Sequence, residues 1–264
     1  MRSFASHLVV LTLLSVVLNT YVVASPLCVT YTGSAPTNVK SEKGVILKAR
    51  ATFAISNLDL VITLSNVGTN DPATFADTLT GIFFNIAGNP SLTPGSAKVA
   101  RGSSVVGDRP LPPGFDGDVS GQWAYRGDLP TGSLSKDAPG KYGLSCMADS
   151  FFHKTNLFSD IKIPGTYPLH HDEFGITTLN DLPASDIDDY SIQNEIVLVL
   201  DGLPVNFSLD QISDVTFEYG TSIKRGVNIA GEMVAEIPEP SPVALVAVGL
   251  LGTLALTRTR ARPR

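Results

Sequence analysis

The chain has 264 residues, enough for one large domain or two small ones, and only 17% of them are charged, against about a quarter in ordinary soluble proteins. The 23 glycines and 18 prolines follow no period, which excludes collagen and favours a turn-rich β domain. No Asp or Glu lies in residues 1–24 or 241–264, so the net charge of −6 comes from an acidic middle. That acidity argues against nucleic acid as a partner.

Residues 1–24 have the three parts of a secretory signal peptide. Arg2 gives a positive start, an apolar run extends from Leu8 to Leu18, and small side chains end the segment at Ala24. We therefore predict export, with cleavage after Ala24. An uncleaved membrane anchor or a buried helix is the alternative.

Residues 45–65 show the period of two that is typical of half-buried strands. Residues on one expected face are Val45, Leu47, Ala49, Ala51, Phe53 and Ile55. After Asn57, the expected inward residues are Leu58, Leu60, Ile62 and Leu64. The pattern predicts an antiparallel hairpin, and Leu79–Ala87 predicts a further strand that ends at Gly88-Asn89-Pro90.

An acidic segment matches the first half of a calcium-binding EF-hand loop. Asp116, Asp118 and Ser120 place oxygens at positions 1, 3 and 5, and Gly121 stands at position 6. Position 12 is Gly127 rather than Glu, so the second half does not match. Asp186, Asp188 and Asp189 form another acidic group. Weak calcium binding is one hypothesis, acid-rich turns are the preferred one, and we expect no other cofactor.

Trp123 and Tyr125 stand two residues apart, so on a strand both rings face one side. Exposed together, they would form a stacking platform for sugar rings. The alternative is that both face the core, as most large aromatic side chains do.

Cys28 and Cys146 are the two cysteines of the chain. In an oxidising compartment they could form one disulfide between the N-terminal segment and the central loops. The alternative is two unrelated thiols.

Two further groups are candidates for a catalytic or a metal-binding site. Gly143-Leu144-Ser145 begins like a nucleophile elbow, but Met147 stands where the second glycine should be, and no spacing ties His153, His170 or His171 to Ser145. The run His170-His171-Asp172-Glu173 contains metal-ligand types, although adjacent side chains on a strand point to opposite faces. An exposed polar turn is favoured there, and we expect no enzyme.

Late strands complete the expected body. Glu195–Leu200 is a compact apolar run, and Val215, Phe217 and Tyr219 alternate with Thr216 and Glu218. Residues 92–189 are less regular, with many Gly and Pro residues between short strands. We predict an all-β body over residues 25–236, with a β-sandwich or jelly-roll-like fold.

The C-terminus carries three elements in order. Pro238-Glu239-Pro240 precedes an uncharged apolar run, Val243–Leu256. As a helix this run spans only about 21 Å, less than a bilayer core. Four arginines follow and should hold the end in the cytoplasm. They are Arg258, Arg260, Arg262 and Arg264.

Together, residues 237–264 resemble the PEP-CTERM sorting signal. The resemblance implies recognition by exosortase, a membrane-embedded protease-transferase of Gram-negative bacteria that make extracellular polysaccharide. Proline resists helix, so the tripeptide would stay accessible above the helix start. A plain tail anchor with a proline-rich hinge is the alternative. Residues 45–222 are also similar to a group of exosortase-dependent surface proteins, with segments such as Trp-Ala-Tyr-Arg at 123–126.

The resulting expectation is an exported cell-surface or matrix protein. It would enter the inner membrane through its C-terminal helix, be cut by exosortase, and then act in a biofilm or envelope, with extracellular polysaccharide as a partner. Two alternatives remain open for the body: a carbohydrate-binding module and a secreted hydrolase.

Overall fold

The computed structural model describes nine stretches of the chain. They are residues 28–35, 46–68, 77–107, 110–131, 138–147, 163–165, 175–178, 190–220 and 226–234. The fold below is that of these residues.

Strands dominate the described residues, which confirms the all-β prediction. Two single-turn 3₁₀ helices, Ser120–Gln122 and Leu209–Gln211, interrupt them. The strands are β1 (Cys28–Ser34), β2 (Lys48–Ser56), β3 (Asp59–Asn66), β4 (Leu79–Ile86), β5 (Thr93–Val99), β6 (Ser104–Val106), β7 (Ala124–Arg126), β8 (Tyr142–Ser145), β9 (Ile176–Thr177), β10 (Ser191–Gln193), β11 (Glu195–Asp201), β12 (Ile212–Tyr219), β13 (Val227–Ala230) and β14 (Glu232–Val234).

The first sheet has the strand order β14-β1-β2-β3-β11-β5. Its centre is the predicted hairpin, β2 and β3, paired antiparallel from Ala49–Asn66 to Ser56–Asp59. Asn57 turns the chain with a φ of 60°, a left-handed conformation that asparagine tolerates better than most residues. Along β11, buried and half-buried residues alternate, so one face of this sheet packs inward and the other meets solvent.

The second sheet has the order β13-β12-β4-β9-β10-β6, and β8 also pairs with β4 and with β7. In β4 every residue but Asn85 is buried. Its apolar run Ile82-Phe83-Phe84 explains this, because Phe84 joins the main core while Phe83 packs with a second apolar cluster. The second cluster also contains Ala124, Leu129 and Ala138. Strand β4 is therefore covered on both faces.

Aromatic rings join the two sheets. Phe53 of the first sheet meets Phe84 of the second edge-to-face, with ring centroids 5.3 Å apart. Tyr31 packs against the same Phe53, and Tyr142 stacks on Phe84 at 5.6 Å. Such pairs add about 0.5–1.5 kcal/mol each beyond the burial of their apolar area.

Polar side chains also connect the sheets. The Tyr31 hydroxyl donates to the carbonyl of Ile212 at 2.7 Å, and the Asn66 side-chain amide donates to the carbonyl of Ile176 at 2.9 Å. Tyr219 adds a bond to Asn66 Oδ1. These bonds satisfy polar groups that would otherwise be costly inside an apolar core.

Two inward predictions were wrong. Ile55 and Leu58 were expected in the core but are 40% and 47% exposed. They lie at the hairpin tip, beyond the edge of the core, where alternation no longer determines burial. The predicted strand at Leu79–Ala87 and those in the late chain are confirmed.

Candidate functional site

A row of side chains crosses four strands of the second sheet, on the face turned away from the main core. Glu218 of β12 is in register with Gly81 of β4, Gly81 with Ser145 of β8, and Ser145 with Ala124 of β7. Residues in register on adjacent strands share a face. All three side chains of this row, Glu218, Ser145 and Ala124, are buried.

Gly81 is the residue that lets this row close. A Cβ at this position would lie 2.7 Å from Glu218 Oε2 and 3.2 Å from Ser145 Cβ. With no side chain between them, Ser145 Oγ comes within 3.4 Å of Glu218 Oε2. Any other residue at position 81 would push the two apart.

Glu218 lies in a water-poor environment, and its carboxyl group is fully buried. Burial raises its pKa to about 8, with the hydrogen bond from Ser145 acting weakly in the other direction. Within the part of the chain that the structure describes, its Oε1 is buried without a hydrogen-bond partner. Burial therefore favours the neutral, protonated form of the Glu218 carboxyl group.

The Ser145 hydroxyl lies among three polar groups. It is 3.1 Å from the carbonyl of Thr80 and 3.4 Å from Glu218 Oε2, and it accepts the amide N–H of Met147 at 3.1 Å. Because a serine hydroxyl has a single proton, it can donate to the Thr80 carbonyl or to Glu218, and the contact with Thr80 is the shorter one.

This geometry does not support Ser145 as a nucleophile. Ser145 lies within β8, which is paired on both sides, rather than on the exposed strand-to-helix turn of a nucleophile elbow. The burial of Glu218 could not be predicted from β12 alone, because alternation places Glu218 opposite the inward Phe217, on the face expected to meet solvent. The signal was the non-alternating run Ile82-Phe83-Phe84, which indicates a sheet buried on both faces.

The proposed sugar-stacking platform is corrected. Trp123 is fully buried and Tyr125 is 3% exposed, and both belong to the main core. Burial raises the pKa of the Tyr125 hydroxyl far above its usual value. The spacing did place both rings on one side, as predicted, but that side is the interior.

The structure places the two cysteines of the predicted disulfide in different layers. Cys28 alternates with the inward Val29 and so lies on the outer face of the first sheet, whereas Cys146 belongs to the core and follows β8 of the second.

The acidic loop around Asp116 and Asp118 packs against β5, the edge strand of the first sheet. Asp118 Oδ1 accepts both the N–H and the hydroxyl of Ser120, the latter at 2.6 Å, and Asp116 Oδ1 accepts the N–H of Asp118. Ser120 Oγ in turn accepts the N–H of Ala97 in β5 at 2.9 Å. The oxygens proposed for calcium therefore hold the loop against an edge strand.

Several predicted residues lie outside the described residues. They are the tail residues Pro238, Glu239, Pro240, Arg258, Arg260, Arg262 and Arg264, the signal segment 1–24, the histidines His153, His170 and His171 with Asp172 and Glu173, and Asp186, Asp188 and Asp189. Within the described ranges, no three His, Cys, Asp or Glu side chains are grouped to hold a metal ion. A search of the same ranges finds no helix of the length and apolarity needed to cross a bilayer.

No family model, curated protein or solved structure matches the chain.

Replacing Glu218 by Gln should change how stability depends on pH. The folded pKa of about 8 lies above the ordinary value of 4.5, so the folded state binds the proton more tightly than the unfolded state does. Ionisation therefore destabilises the wild type as pH rises from about 4.5 to about 8, by up to about 1.4 kcal/mol per pH unit. In Glu218→Gln this slope should be absent, and urea unfolding at a series of pH values measures it.

The matched control is Glu232→Gln, on the exposed strand β14. It should keep the wild-type pH slope. Parallel curves for wild type and Glu218→Gln would show that Glu218 does not bind its proton more tightly in the folded state.

Replacing Ser120 by Ala should destabilise the protein by about 1–3 kcal/mol, because the Ala97 N–H and Asp118 lose a buried partner. The loss should be equal in millimolar calcium and in chelator, as measured by urea unfolding. Ser56→Ala, at an exposed position, should change stability by less than about 0.5 kcal/mol. A loss of stability that occurs in calcium but not in chelator would support the calcium hypothesis.

Proposed function

We propose that this chain is an exported surface protein sorted by exosortase, with a β-sandwich body, a signal peptide at residues 1–24 and a sorting signal at residues 237–264. The observation that carries the proposal is the order of the C-terminal elements. A Pro-Glu-Pro tripeptide, a short apolar run and an arginine-rich end follow one another within 27 residues.

Each element has a physical task in this proposal. The arginines stay in the cytoplasm, since moving them across the bilayer is unfavourable, and the apolar run Val243–Leu256 lies in the membrane. Pro238 and Pro240 fix the backbone in an extended form on the far side of the membrane. A membrane-embedded enzyme can bind an extended segment there and cut it.

The described fold is compatible with such a cut. The last described strand, β14, ends at Val234, four residues before Pro238. Cleavage at the tripeptide therefore removes no described strand and breaks none of the described sheet hydrogen bonds. The body would leave the membrane with its core intact.

A passive matrix or envelope role is the function we propose for the body. The carbohydrate-binding alternative loses Trp123 and Tyr125, which are buried, and the hydrolase alternative loses Ser145 as an exposed nucleophile, while His170 and His171 lie outside the described residues. In this role the protein associates with extracellular polysaccharide after release. Its partners are then exosortase, the inner membrane during sorting, and the matrix.

A variant with Pro238→Ala, Glu239→Ala and Pro240→Ala tests the proposal. Expressed in a host with exosortase, the wild type should be recovered from the cell surface or medium, and the variant should stay in the membrane fraction at full length. The control Pro204→Ala with Glu232→Ala changes the same residue types in the body and should be sorted normally. Equal release of the triple variant would contradict the proposal.

A further inference from the structure

Three exposed aliphatic side chains lie at one end of the fold. Ile55 and Leu58 flank the β2–β3 turn, and Val205, in the loop after β11, is 90% exposed. The loop lies beside the turn because the N–H groups of Gly202 and Leu203 both donate to the carbonyl of Leu58. We call Ile55, Leu58 and Val205 the apolar tip.

The last described strand, β14, runs toward this same end. Val234 of β14 is in register with Thr30 of β1, and Thr30 with Thr52 of β2. Strand β2 runs on from Thr52 to the turn at Asn57, so the tip lies about 16 Å beyond the level of Val234 at about 3.3 Å per residue. Strand β14 runs antiparallel to β1 and hence parallel to β2, toward the tip.

The connection between body and membrane segment is short. Residues 235–242 separate Val234 from Val243, where the apolar run begins. Fully extended, this connection spans at most about 30 Å. It is long enough to pass the tip and too short to let the body move far from the bilayer.

We propose that the apolar tip contacts the lipid interface while the tail is in the membrane. This inference rests on the proposed function, because the tail must first enter the bilayer. Moving exposed aliphatic side chains out of water is favourable in free energy. The short connection keeps the apolar tip close to the lipid interface, where this transfer can occur. In this contact the body is oriented with its apolar tip toward the membrane.

The charges at the tip select the type of lipid surface. Asp59 and Asp201 face each other in register beside the β2–β3 turn and are partly exposed. Two carboxylates at this end disfavour anionic headgroups. The contact is thus an apolar one that favours a zwitterionic surface over an anionic one.

Photocrosslinking of the full chain in phosphatidylcholine vesicles tests the contact. The photoreactive residue p-benzoylphenylalanine replaces Val205 in one variant and Arg101 in the control. Arg101 is exposed beyond the opposite end of β5, whose Thr93 pairs with Asp201 near the tip. After illumination, mass spectrometry should find several-fold more lipid adduct at position 205 than at 101, and less of it when phosphatidylglycerol replaces phosphatidylcholine.

The other outcomes overturn the inference in distinguishable ways. If the chain floats with the vesicles but positions 205 and 101 give equal adducts or none, the tip contact is wrong and membrane insertion of the tail stands. If position 205 crosslinks to a second copy of the chain, the tip is a self-association surface. If the chain does not float with the vesicles, the membrane step of the proposed function fails and the tip contact fails with it.

Discussion

The two-sided burial of β4 is the constraint on which the rest of the structure depends. One face of β4 presents Phe84 to Phe53 and thereby joins the two sheets. The other face carries Phe83, which packs with a second apolar cluster. Because both faces of β4 are covered from Leu79 to Phe84, Glu218, which is in register with Gly81, is buried too. The cost of burying Glu218 is reduced by keeping it protonated, and Gly81 makes room for its contact with Ser145.

The elements that could be predicted from the sequence are the strands with one buried face and one solvent-exposed face. The hairpin of β2 and β3, the apolar strand β11 and the inward positions of β12 all follow from a period of two, because alternation reports a sheet with one dry and one solvated side. The same rule failed at Glu218, where both faces of the sheet are buried, and at Leu58, where the turn lies beyond the core.

The candidate sites could be predicted less well, because residue type and spacing do not specify the layer in which a side chain lies. Trp123 and Tyr125 do share a face, but burial decides whether a ring can stack on a sugar. Likewise, nothing in the spacing of Cys28 and Cys146 tells that one is on an outer face and the other in the core. The oxygens of Asp118 and Ser120 bind a neighbouring strand, which a local motif does not reveal.

The function we propose assigns separate tasks to the β-sheet body and to the C-terminal tail. The most direct test is the intact mass of the protein isolated from its native host, with and without exosortase. The account predicts a mature chain that starts after Ala24 and ends near Pro238–Pro240 in the wild type, and a chain that still carries Arg264 in the strain without exosortase. If both strains yield a chain that ends at Arg264, the tail is an ordinary membrane anchor and the account is wrong.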